Sequence, residues 1–132
     1  MRVVFDTNIF VSALILPSGR AAQALSRVIE GTDRLILSKP ILDELLAVLA
    51  RKFSRDREEL ARVAVWLEEL AEWVHPARRL TVVADDADNR ILECALAGSA
   101  EVVVTGDRDL LQLRSFQEMH IITLKEYLFF RP

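Results

Sequence analysis

Two short apolar runs, rich in β-branched residues, each end on an aspartate: Val3-Val4-Phe5 leads into Asp6-Thr7-Asn8, and Val102-Val103-Val104 leads into Thr105-Gly106-Asp107. Unbroken apolar triplets lack the in–out alternation of a half-exposed sheet and read as strands covered on both faces. Stretches of helical periodicity lie between the strand-like runs. The alternation predicts an α/β protein, a three-layer α/β/α sandwich around a short, mostly parallel sheet. Ligands in such sheets bind beyond the carboxyl ends of the strands, where Asp6 and Asp107 both fall.

The 132 residues are 52% hydrophobic with only 4 glycines. That predicts one compact domain over 1–132 and argues against disorder. The longest apolar run, 9–16, is interrupted by Ser12 and stopped by Pro17, well short of a bilayer span. Asp6 breaks the stretch that a signal peptide would need, so no membrane partner is expected. The single cysteine, Cys94, has no intrachain partner and predicts a reducing, cytoplasmic setting. A net charge of −3 weighs against a bulk electrostatic DNA-binding module. It weighs less against a nuclease, where bound divalent cations offset acidic charge locally.

Helical spacing predicts helices over 20–30, from a Ser38 cap to Phe53 with Pro40 in the first turn, and over about 86–97 with Gly98 as the stop. Residues 56–74 read as the longest amphipathic helix, ended by His75-Pro76. Further strands are expected at 35–37 and 121–122. A short helix from Asp109 to Leu113 takes Asp109 as its cap, and Thr123 with Glu126 forms a capping box. Trp66 and Trp73, seven residues apart, flank the stripe of the long helix. They either widen its core face or form an aromatic edge for a second copy or a partner segment. The high apolar content favours a homodimer.

The inward acid is Asp88. At about 100° per residue, Ile91, Leu92 and Ala95 lie within about 60° of it on the helical wheel. A first-turn acid is favoured by the helix dipole, but Asp85 and Asp86 are available for the cap, and a dipole does not explain an inward carboxylate. Asp6 also fits a cap for a helix starting near Thr7, and Asp107 fits a Gly-Asp turn. Glu44 lies at the edge of an apolar arc beside Ile41 and Val48, and its neighbour Asp43 remains an alternative. Carboxylates brought to one locus repel and lose hydration unless a cation or a reaction needs them. Oxygen-only donors suit Mg²⁺ or Mn²⁺ and metal-assisted phosphoryl chemistry. His75 and His120 are far apart in sequence and serve zinc poorly.

These motifs, in order, resemble a PIN domain. Val3-Val4-Phe5-Asp6-Thr7-Asn8 is similar to its opening, Ser38 through Glu44-Leu45 to its second acidic motif, and Asp88-Asn89-Arg90-Ile91-Leu92 with Ala95 to its third. Val103-Val104-Thr105-Gly106-Asp107 with Asp109-Leu110-Leu111 resembles its fourth, so the likeness runs to about residue 125. The resemblance is closest to bacterial single-domain PIN toxins of toxin–antitoxin pairs, with VapC toxins somewhat less close. It implies a metal-dependent ribonuclease acting on an RNA substrate, with Asp6, Glu44, Asp88 and Asp107 holding Mg²⁺ or Mn²⁺ and an attacking water activated there. It also implies that Thr7, Asn8, Ser38 and Thr105 support the acids by hydrogen bonds, that Asp109 can share the fourth role, and that an antitoxin protein binds the chain. Arg108, between Asp107 and Asp109, is the best candidate to bind substrate phosphate. Two rivals remain. A haloacid-dehalogenase-like phosphatase also opens on a strand ending in Asp, but needs a second Asp where Asn8 stands. A catalytically silent PIN module would bind RNA or a protein without cutting.

Overall fold

A computed structural model describes residues 1–129. Its strands are β1 (Arg2–Phe5), β2 (Arg34–Leu37), β3 (Glu72–Trp73), β4 (Val102–Val104), β5 (Ser115–Phe116) and β6 (Met119–Ile122). They form one sheet in the order β3-β2-β1-β4-β6-β5. Neighbours are parallel except β5 and β6. The helices are α1 (Thr7–Ile15), α2 (Arg20–Ile29), α3 (Lys39–Phe53), α4 (Arg57–Leu70), α5 (Asp86–Ala97), α6 (Arg108–Leu113) and α7 (Leu124–Phe129). No single helix among the described residues is long and apolar enough to cross a membrane.

The pairing register sorts the core into two faces, because successive side chains on a strand point to opposite sides. Val3 aligns with Leu35 and Val102, and Phe5 aligns with Val104. On that face the Phe5 ring meets Phe10 of α1 and Tyr127 of α7, with centroids 5.7 Å apart in both cases. Val4, Val103 and Ile36 point the other way. There the chain leaving α5 comes so close that a Cβ on Gly98 would lie 2.4 Å from Ile36 Cγ2. Helices thus cover both faces, which makes the three layers. From β1 through β2 to β3 the chain moves in one direction, and from β3 to β4 it crosses back over β1. Right-handed crossovers place α1 and α5 on opposite faces for that reason. The reversal leaves a crevice between the ends of β1 and β4.

Three expectations need correction. The helix expected over 56–74 ends at Leu70, and the longest helix is α3, with 15 residues. Ala71 is already extended (φ −94°, ψ 156°), and Glu72 and Trp73 pair with β2 as an edge strand. Glu72 binds Arg2 and Arg34 at 2.5–3.2 Å, and the two guanidinium groups hold its carboxyl down at about 2. Sheet pairing therefore captures residues whose helical periodicity continues, and His75-Pro76 lies beyond the strand. Trp66 and Trp73 consequently stand on different elements, and both pack against the core. The cap of α6 is Asp107 rather than Asp109. The short β5 was not foreseen. It returns through Gln117 and Glu118, both with positive φ, into an antiparallel pair with β6.

Other punctuation is as read. Asp85 caps α5 and Gly98 closes it. Thr123 and Glu126 exchange the two hydrogen bonds of a capping box. On the Phe5 face, buried Asp33 forms an ion pair with Arg27 Nε at 3.1 Å and accepts from the Tyr127 hydroxyl, while Arg27 Nη1 donates to Tyr127 O at 2.8 Å, tying α7 to α2.

Candidate active site

The carboxyl ends of β1 and β4 are joined by one hydroxyl. Asp6 follows β1, and its N–H donates to Val104 O at 3.0 Å. Its Oδ1 accepts from Asn8 N at 3.1 Å and caps α1, while its Oδ2 accepts from Thr105 Oγ1 at 2.6 Å. The same Thr105 oxygen accepts from Asp107 N at 3.0 Å. Thr105 is fully buried, so it exchanges hydrogen bonds with both acidic residues in a setting without competing water. Asp107 Oδ1 in turn accepts from Asp109 N and Leu110 N at 2.9 and 3.1 Å.

Helix α5 brings Asp88 toward this pair. The carboxylate is buried, 7% exposed, and its Oδ2 has no hydrogen-bond partner. Asn8, Asp43 and Asp109 are exposed by contrast. Burial pushes the Asp88 carboxyl up to about 7, and the charges of Asp107, Asp85 and Asp6 add to the rise, as does a hydrogen bond shared with Asp107. Helix α3 supplies Glu44, whose Oε2 accepts from Thr7 Oγ1 at 3.3 Å. Burial raises its carboxyl too. The Thr7 hydroxyl opposes that rise, Asp6 and Asp85 add to it, and Arg51 works against it. The choice between neighbours is thereby decided: Asp43 points to solvent and pairs with Lys39 at 2.7 Å.

Asp6, Glu44, Asp88 and Asp107 therefore form one electrostatic cluster drawn from four elements. Thr105 links Asp6 to the backbone of Asp107 and Thr7 holds Glu44, and the four do not close into a cage. Among the described residues no three His, Cys, Asp or Glu side chains are grouped tightly enough to hold a metal ion as placed. The donor set is nonetheless all oxygen, and a buried carboxylate oxygen without a partner calls for a proton or a cation. The residues fit a hard divalent ion in donor chemistry.

The supporting residues divide. Thr7 and Thr105 hydrogen-bond site acids through their hydroxyls, and Asn8 does so through its backbone. Ser38 is buried just past β2 and is the N-cap residue of α3 as expected, but its hydroxyl makes no cap hydrogen bond and none to the site acids. Arg108 is exposed in the first turn of α6, next to Asp107. Asp85, read only as a cap, also adds negative charge at both Asp88 and Glu44. Its place in the run Asp85-Asp86 was the available signal.

A sheet with a topological reversal, and inward carboxylates gathered at that reversal, defines a class of α/β protein with an acidic cleft at its strand ends. Within that class the chain belongs to the PIN domain family, whose match covers residues 2–109. It is 30% identical over 118 residues to an uncharacterized protein of Methanocaldococcus jannaschii, covering 86% of this chain and 76% of that one. Its fold is similar to VapBC2 from Rickettsia felis bound to a promoter DNA fragment (TM-score 0.68, 16% identity, 93% of this chain and 98% of that one). It is equally similar to VapBC-1 from nontypeable Haemophilus influenzae (TM-score 0.67, 19% identity, 95% and 99%). Family membership sets the phosphatase reading aside.

Proposed function

We propose that this PIN chain is a metal-dependent endoribonuclease and the toxin of a toxin–antitoxin pair. The observation that carries the nuclease reading is buried Asp88, with an unpartnered oxygen and a raised proton affinity, turned toward Asp6 and Asp107. A core does not retain such a group for stability. The partnership reading rests on the likeness of the fold to PIN chains of VapBC toxin–antitoxin complexes.

Asp6, Glu44, Asp88 and Asp107 would hold Mg²⁺ or Mn²⁺. Such an ion supplies charge to the scissile phosphate and lowers the pKa of an attacking water. The protein does the rest. Thr105 fixes the Asp6 carboxylate, and Thr7 steadies Glu44. Burial of Asp88 favours its protonated form until a cation displaces the proton, and the freed charge then acts where water screens it least. Arg108, exposed beside Asp107, would take a substrate phosphate oxygen. No nucleophilic side chain is required.

The test is cleavage of single-stranded and structured RNA with Mg²⁺, Mn²⁺ or chelator, beside Asp6→Asn and Asp88→Asn. The expected result is metal-dependent cutting that both variants lose by at least ~100-fold while still folding. RNA binding without cutting by antitoxin-free wild type would favour the silent-module reading instead.

A further inference from the structure

The carboxyl edge of the sheet carries a second feature beside the acids. A cavity of about 290 Å³ opens there, lined by Lys39, His75, Arg78, Arg79, Arg90 and Glu93. Lys39 follows β2 by two residues, and His75 follows β3 by two. In the strand order β3-β2-β1-β4 the end of β2 lies directly beside the end of β1 that carries Asp6, with β3 one strand further out and β4, which carries Asp107, on the far side of β1. Neighbouring strands are ~4.8 Å apart, so the cavity sits about 5–10 Å to one side of the Asp6 strand and about 10–14 Å from the Asp107 strand.

Its charge is opposite to that of the chain. Four permanent cations face one carboxylate in the lining, in a protein of net charge −3. That carboxylate is already committed: Glu93 accepts from Leu80 N at 2.8 Å and pairs with Arg90 at 2.9 Å. Arg90 Nη2 also donates to Leu80 O, while its Nε is buried with no acceptor. Arg78 and Arg79 are exposed and make no ion pair among the described residues. Lys39 has only the exposed Asp43 pair, a weak competitor for a ligand.

The cavity is also rigidly built. Asn89 accepts from Val82 N and Val83 N at 2.9 and 3.0 Å and donates to Val83 O at 2.8 Å. With Glu93 and Arg90, it pins the segment after the two arginines onto α5. Asn89 and Arg90 lie one and two residues past Asp88, so one helix holds both the inward acid and the cavity wall.

We infer that this cavity binds a backbone phosphate of single-stranded RNA, one or two nucleotides from the bond cleaved at the acids. The inference rests on the ribonuclease reading. A cleft of four carboxylates repels a polyanion, so substrate must be anchored by cations close by yet off the reacting centre. The cavity supplies those cations on the side of the β3 edge, and it fixes the direction in which the strand enters.

The test is anisotropy of a labelled single-stranded 10-mer RNA, titrated in chelator over a salt series, with Arg78→Ala/Arg79→Ala and Arg78→Lys/Arg79→Lys. Thermal melts check that both variants fold. The expected result is at least ~10-fold weaker binding for the alanine pair, a log–log salt slope shallower by about 1.4, and most of the binding retained by the lysine pair. An alanine pair with unchanged affinity and slope overturns the inference. So does a pair that keeps RNA but loses a polyglutamate peptide, which would make the cavity an acidic-protein dock. Wild-type hydrolysis of bis(p-nitrophenyl) phosphate with Mn²⁺ judges the nuclease reading separately, since that small diester reaches the acids alone.

Discussion

Thr105 sits between two acidic residues and donates to one while accepting from the other. Valine has the same shape but can do neither. Thr105→Val should leave Asp6 Oδ2 and Asp107 N unpaired in a dry site, at a cost of about 1–3 kcal/mol. Denaturant midpoints measure that cost, and weaker Mn²⁺ binding should accompany it. Asp88 gives a second prediction. Its carboxyl lies at about 7 in the fold against ~3.9 in the unfolded chain, so between those values the native state binds the extra proton. The stability of the chelated protein therefore falls as pH rises from ~4 to ~7 and levels off above. Asn has no proton to lose, so Asp88→Asn should gain on wild type across that window, by on the order of 1–3 kcal/mol at pH 8. Equal stability differences at pH 5 and pH 8 would rule out charge as the cause. The strand-end acids and inward Asp88 were legible from pattern alone. The choice of Glu44 over Asp43 was not, because the two are adjacent on one helix and differ only in which meets Thr7.

At the scale of elements, α5 governs the site because it carries Asp88 in its first turn and closes at Gly98 against the sheet. The space a Cβ would need at Gly98 is taken by the side chain of Ile36, which is fully buried and cannot swing away. Gly98→Ala should therefore destabilise by about 1–3 kcal/mol, read as a lowered Tm, and Ile36→Val in the same chain should not relieve it fully because Cγ2 remains. An unchanged Tm would mean that α5 can lift from the sheet at no cost. The bounds of α5 were readable because cap and stop residues are local signals. The end of α4 was not, because the stripe continues past Leu70 while Glu72 and Trp73 answer to β2, Arg2 and Arg34. The α6 cap was misplaced for a related reason: Asp107 and Asp109 both suit a cap, and only the backbone path after Thr105 selects the first.

At the scale of the whole molecule, an acidic cleft without a cation is a liability, and binding should convert it into stability. If the four acids hold a divalent ion, Mn²⁺ should raise the Tm in proportion to the logarithm of its concentration, amounting to about 2.7 kcal/mol at one hundred times Kd. The effect should be larger at pH 8 than at pH 6, because Asp88 must release its proton as the ion enters. Asp6→Asn should remove most of the shift. A shift of equal size at both pH values and in the variant would place the ion elsewhere on the surface. If the cationic cavity at the β3 edge takes RNA as proposed, metal and RNA affinity belong to one charge distribution rather than to separate sites.

By itself the sequence determined the strand–helix alternation, the two strand-end aspartates, the inward direction of Asp88 and the oxygen-only character of the site. These follow from periodicity and residue chemistry, which act over a few residues. Only the tertiary structure decided that Thr105 reaches Asp6 across 99 residues of chain and couples it to Asp107, that Glu44 rather than Asp43 joins them, and that residues past Leu70 pair as a strand. It also decided that a basic cavity stands beside the acids. Each of these depends on which strand ends become neighbours. Crossover direction and sheet pairing settle that, and no local stretch of sequence encodes it.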